Sequence, residues 1–259
     1  MLVAAAVCPH PPLIVPELAG AASPELDGLR EACVTAIRSL AGSRPDVLVV
    51  IGAADAAQVP AAPDATAPEA TASEATASEP KGSRAAVWYG PDAGGSLAPW
   101  GADVRVGAGR PVLPLSLTVG RWLADLAGAG PVSGYEAVPP DASSLICARL
   151  GAALAVRGRR VALLVMGDGS AKLTTNSPGY HDPRAQAYDE ELARALGGAD
   201  APALAALDPA EAAELWVAGR AAFQVLAGAA AAEDRFHGEL LYDDAPYGVG
   251  YLVARWSLG

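Results

Sequence analysis

Aromatic residues are scarce, only 5% of the 259 positions, and much of the 52% apolar share is alanine, so the core is a light one. Basic residues are also few: 18 Lys and Arg stand against 29 Asp and Glu, a formal net charge of −11. Phosphate backbones are held by clustered Lys and Arg, so this balance argues against a nucleic-acid partner. The three cysteines, Cys8, Cys33 and Cys147, are far apart and lack paired spacing. They make neither a zinc site nor a disulfide framework and read as reduced, buried thiols. The start, "MLVAAAVCPHPP", has neither a basic leader nor a run long enough for a signal peptide or a membrane span. The expectation is a cytoplasmic protein with no membrane partner. Histidine is equally sparse, and any chemistry that needs imidazole must draw on His10, His181 or His237.

What is present punctuates the chain. Residues 2–8 read as a buried strand, stopped by Pro9, Pro11 and Pro12, which cannot continue a ladder. Ser23 and Pro24 read as the N-cap and first-turn proline of a helix that aligns Leu26, Leu29, Cys33, Ile37 and Leu40 on one face before Gly42. "DVLVVIG" (46–52) is a second buried strand, and strand, helix, strand over some fifty residues signals a parallel sheet. Residues 59–82 carry "EATAS" twice in tandem and no large apolar side chain after Val59. Such a segment cannot offset its ordering entropy, which predicts a disordered insert.

Order resumes at Trp88 and Tyr89, with a short strand at "ADVRV" (102–106) and a strand end leading into a short helix over 113–128. A helix over 141–157 leads into a strand over 160–166. Asp182 and Pro183 open the next helix, and Asp208, Pro209 and Glu211 form a capping box for one that runs to about Leu226. "GELLYDD" and "GVGYLVARW", joined through "APYG", predict an antiparallel hairpin at the sheet's edge. The fold expected over 1–259 is one α/β domain: a mixed, mainly parallel central sheet, helices on both faces and an antiparallel C-terminal edge.

Strand ends are where such folds place chemistry. His10 stands directly after the first strand inside "CPHPP", where prolines would hold an imidazole at the carboxyl edge of the sheet. After the strand over 160–166 comes "MGDGSAKLTT" (166–175), a loop with Asp168, Ser170 and then Ala171, whose methyl group can neither bind a metal nor move a proton. Asp168 suits a turn in which its carboxylate bonds backbone N–H groups. Ser170 has no base nearby in sequence and lacks the G-x-S-x-G elbow of serine hydrolases. Tyr247 fits either sheet packing or the mouth of a pocket.

"CPHPPLIVPEL", "DVLVVIG", "MGDGS" and "APYGVGYLVA", in that order and spacing, resemble the class III extradiol ring-cleavage dioxygenase family of the LigB type, whose fold also includes the Memo-type proteins. The resemblance implies a non-haem Fe(II) held by two histidines and a carboxylate, with open positions for a catecholate and dioxygen and a further histidine as acid/base. His10 matches the first metal histidine. At the place of the second, this chain has Ala53 and Ala54, and only Asp55 could coordinate there. Ala171 stands where the acid/base histidine is expected. The late carboxylate corresponds to Glu239, Asp243 or Asp244, and His181 is a substitute ligand that a long loop could fold back. His237 reads as surface or structural.

Two functions follow. One is a small-molecule-binding or scaffold protein on the old enzyme's fold, with a pocket of His10, Asp55, Asp168, Ser170, His181 and Tyr247 for a small aromatic ligand and no iron. The other is an Fe(II)-dependent dioxygenase acting on a catechol-like aromatic through a rebuilt metal site. The family's two-subunit enzymes imply a homo-oligomer or a different second chain as partner.

Overall fold

The computed structural model describes residues 1–54, 85–233 and 235–259. The expected insert at 59–82 and Asp55 lie outside the described residues. The chain begins with strand β1 (Leu2–Cys8), the one-turn helix α1 (Pro16–Ala19), helix α2 (Asp27–Gly42) and strand β2 (Val47–Ala53). Three short strands follow, β3 (Val87–Tyr89), β4 (Gly95–Ser96) and β5 (Arg105–Val106). Then come α3 (Leu115–Ala127), β6 (Gly134–Val138), α4 (Ser144–Ala155) and β7 (Val161–Met166). Four helices, α5 (Arg184–Gly197), α6 (Ala201–Ala205), α7 (Pro209–Glu214) and α8 (Arg220–Ala230), precede the closing strands β8 (Phe236–Asp244) and β9 (Tyr251–Leu258).

Among the described residues, seven strands form one sheet in the order β3-β6-β2-β7-β1-β9-β8. The four central strands, β6, β2, β7 and β1, run parallel, and β3, β9 and β8 add antiparallel edges. Parallel strands are covered on both faces by their crossover helices, which is why β1, β2 and β7 are continuous apolar runs rather than alternating ones. Successive side chains point to opposite faces. Ala4, Ala6, Cys8, Val50, Leu164 and Met166 pack under α2 and α3, while Ala5, Val7, Ile51, Leu163 and Val165 pack under α4, α5 and α8. No helix among the described residues is long and apolar enough to cross a membrane.

Several boundaries differ from expectation for identifiable reasons. Ser23 and Pro24 lie in a 3-10 stretch, Gly20–Leu26, and α2 starts at Asp27 with Leu26 at its N-cap. Ser23 is engaged elsewhere: its hydroxyl and carbonyl oxygens accept from the buried Arg30 guanidinium, which also donates to Ile14 O. Of "ADVRV", only Arg105–Val106 pairs, with Gly95–Ser96 in a separate two-stranded sheet. Strand β6 is not among the expected elements. The helix starting at Pro209 stops at Glu214, Trp216 turns at φ +57°, and α8 begins anew at Arg220. Helix α4 starts later than expected, capped by Ser143, whose hydroxyl accepts from Ile146 N at 3.3 Å.

Two features lock the α4–α8 layer. The helices cross where Gly151 faces Val225 O and Gly228 faces the Ala148 backbone, so closely that a methyl group on either glycine would overlap main-chain atoms. Beside them Arg220, buried, donates to Ala142 O, Pro140 O and Gln224 Oε1, tying down the loop after β6. Removing it leaves buried carbonyl oxygens unsatisfied. Arg220→Ala is expected to cost about 3 kcal/mol, read from the urea midpoint, whereas a loss under about 0.5 kcal/mol would mean that water replaces the guanidinium without penalty.

Candidate functional site

The carboxyl ends of β1 and β7 lie side by side, since Cys8 is in register with Met166 and Gly167 N donates to Cys8 O at 3.0 Å. From this edge the chain runs Pro9-His10-Pro11-Pro12, in which only His10 carries a backbone N–H. That N–H donates to Asp168 Oδ1 at 2.7 Å. The His10 ring is held next to the same oxygen, with Nδ1 3.5 Å away, 7% of the residue exposed and no hydrogen-bond partner for Nδ1. Asp168 therefore bonds across the sheet edge to another strand's end rather than to its own turn.

Around this pair the surroundings are thiol and phenol. Burial pushes the Tyr251 phenol up, and the nearby carboxylate of Asp168 adds to the shift. Burial likewise raises the Cys33 thiol, with contributions from Cys8 and Asp168. Tyr247 donates to Glu25 Oε2 at 2.9 Å, fastening the β8–β9 turn to the stretch before α2. Burial and Glu25 both hold its phenol protonated.

The rest of the "GDGS" loop is structural. Ser170 is fully buried; its hydroxyl donates to Leu215 O at 2.8 Å and accepts from Lys172 N. Its proton and a lone pair serve the loop itself. Beneath it lies Asp189 of α5, a residue not singled out by its sequence. Both its carboxylate oxygens accept from Ser170 N, at 2.9 and 3.2 Å. Gly169 and Gly250 flank it so tightly that a methyl group on Gly250 would overlap its carboxylate, which is why both positions are glycine. Burial pushes Asp189 up to about 6, opposed by the Ser170 N–H and assisted by the charge of Asp243. Its signal in the sequence was a carboxylate flanked by Ala185, Tyr188 and Leu192 on the apolar face of the helix.

The remaining described candidates are dispersed over the loop before α5, strand β8 and the ends of β2 and β7. Among the described residues, no three His, Cys, Asp or Glu side chains come together as a metal-binding group. His181 is exposed on the loop before α5. Glu239 pairs with Arg255 across β8 and β9, five residues or roughly 17 Å from Asp244. Asp243 faces α5, where it lines a cavity of about 290 Å³ with Asp189, Glu190, Gln186 and Asp244. Asp244 Oδ1 accepts from Ala245 N. Ala54 is buried in the core beside β6, donating its N–H to Val138 O at 2.8 Å. Ala171 N donates to Leu215 O and its carbonyl accepts from Gly179 N, so the loop is kept around a methyl group. His237 is exposed on β8, opposite Ser257.

Among the described residues, the iron site implied by the resemblance is not complete. A facial triad needs three donors converging on one point. The described edge offers one imidazole and one carboxylate, and that carboxylate is turned onto His10's own main chain. Asp168→Ala, which strands the His10 N–H, is expected to lower stability by about 1–3 kcal/mol, measured by urea denaturation. An unchanged midpoint would show that the bond contributes nothing.

No family model matches the chain, and no curated protein matches it in sequence. Among solved structures, an uncharacterized protein of Escherichia coli K12 is similar over 99% of this chain and 100% of that one, with a TM-score of 0.50 and 13% identity. At that identity the likeness is one of fold alone.

Proposed function

We propose that this chain is a cytoplasmic small-molecule-binding or scaffold protein built on an extradiol dioxygenase-type fold, without iron-dependent ring cleavage. The donor set carries this reading. Where strands β1, β2 and β7 end together, the side chains are His10, the buried methyl of Ala54 and Asp168, and the loop beyond carries Ala171. An imidazole and a carboxylate beside Tyr251 suit hydrogen bonding to a phenolic ligand. Among the described residues they are one donor short of holding a hard divalent ion against water.

One observation favours the second reading, a rebuilt iron site: the His10 Nδ1 is buried without a hydrogen-bond partner. The two readings separate in one experiment. Untagged protein and its His10→Ala variant are reconstituted anaerobically with Fe(II), and bound metal and catechol oxidation are measured. The expected result is substoichiometric metal, equal in both proteins, with no ring cleavage; catechol shifts the NMR signals of the His10 ring but not those of His237. Near-stoichiometric iron that the variant loses overturns the binding-protein reading in favour of the rebuilt site.

A further inference from the structure

The strongest unused chemistry lies at the opposite edge of the sheet. Glu136 sits in β6, paired with Ile51 of β2 on one side and Trp88 of β3 on the other. It is 3% exposed, and what acts on its carboxyl group is burial, opposed by the charge of Arg157. Directly opposed residues of an antiparallel pair share a face, so Trp88 and Glu136 are side-chain neighbours. The Trp88 ring lies flat over Gly134, where any β-carbon would overlap it. The Arg157 guanidinium stacks over the same ring, its carbon 3.6 Å from the ring centroid.

We propose that Glu136, Trp88 and Arg157 form a proton-operated clamp on the edge strand β3. While Glu136 is neutral, Arg157 rests on the Trp88 ring; when Glu136 ionises, the guanidinium leaves the ring for the carboxylate. An isolated buried carboxylate is costly and draws in the nearest cation. An exposed cation–π contact is weak beside a charge pair in partly buried surroundings, so the carboxylate wins. Arg157 is exposed on the bend after α4. Of the elements packed around Glu136, β2 presents Ile51, β3 presents Trp88, and the end of α4 presents Arg157. Arg121 of α3, the other cation near β6, lies on the opposite face, bonded to Asp125 and Tyr135. Burial pushes Glu136 up to about 7, with Arg157 pulling the other way, so the clamp works around neutral pH. Because β3 is a three-residue strand that, among the described residues, pairs with β6 alone, the state of Trp88 decides how firmly that edge is held.

The test follows the Trp88 indole N–H by NMR from pH 5.5 to 8.5, assigned with Trp88→Phe, in the native protein, Glu136→Gln and Arg157→Gln. The native signal is expected to titrate with one midpoint near 7. Glu136→Gln holds it at its acid position throughout. Arg157→Gln moves it to an unstacked position and leaves only the smaller shift caused by the Glu136 charge itself. A native signal that does not titrate, or a midpoint that survives in Glu136→Gln, overturns the clamp. Glu136→Gln is isosteric and Arg157 is exposed, so the fold is preserved for the comparison.

Discussion

Glu136→Gln is expected to stabilise the protein at pH 8 by about 3 kcal/mol and to change it little at pH 4. The carboxyl group is raised from 4.5 to about 7 in the folded state by burial. Below pH 4.5 it is protonated whether the chain is folded or not, so there is no penalty. Between 4.5 and 7 the unfolded chain ionises first, and stability falls by about 1.4 kcal/mol for each pH unit. Above 7 both states are ionised and the penalty is complete. A neutral glutamine of the same shape removes it. For a chain of this length the gain corresponds to roughly 6–12 °C in Tm at pH 8, read by circular dichroism at both pH values. An equal change at pH 4 and pH 8 would refute this origin, because only a titrating group gives the difference.

Gly151→Ala is expected to have the opposite sign, with a loss of about 3 kcal/mol. Intrinsic preference alone would predict a gain of about 1 kcal/mol, since alanine is the better helix former. Packing decides, because the added methyl group would meet Val225 O and Ala229 N of α8, which are main-chain atoms and cannot rotate aside. Gly42→Ala is the control. It sits in the last turn of α2 with nothing within 4 Å of the added carbon, and it is expected to be neutral or stabilising by up to about 1 kcal/mol. Urea denaturation of the two variants separates the effects; equal outcomes would mean that the α4–α8 crossing is able to relax.

Strands β1, β2 and β7 were legible because burial on both faces requires long apolar runs, and these were in the sequence. Strand β6, "GYEAV", was not legible, because Glu136 and Gly134 interrupt the run that would have marked it. Local patterning cannot show that an acid is buried under Trp88 and Arg157. The break between α7 and α8 was hidden for a similar reason: "LWVAGRAAF" reads as continuous helix, and only tertiary packing turns the chain at Trp216. At the site, the strand-end position of His10 was legible, and so was the methyl group of Ala171. The bond from His10 to Asp168 was not, since the two residues are 158 positions apart and meet only when β1 and β7 pair. Ser170 and Asp189 illustrate the same limit, in that a buried hydrogen bond across 19 residues leaves no periodic trace.

The place of β1 in the sheet bears on how the molecule is made. Its two neighbours are β7 and β9, which begin at Val161 and Tyr251. At about 5–20 residues per second, a ribosome takes roughly 8–30 s to supply the first of them. Throughout that interval the seven apolar residues of β1 have neither a sheet partner nor the covering layer of α8. Contacts this distant in sequence make folding slow. The strand that carries His10 to its place is therefore made long before its sheet partners and is one of the last segments to be enclosed, so aggregation and chaperone capture act on it throughout that interval.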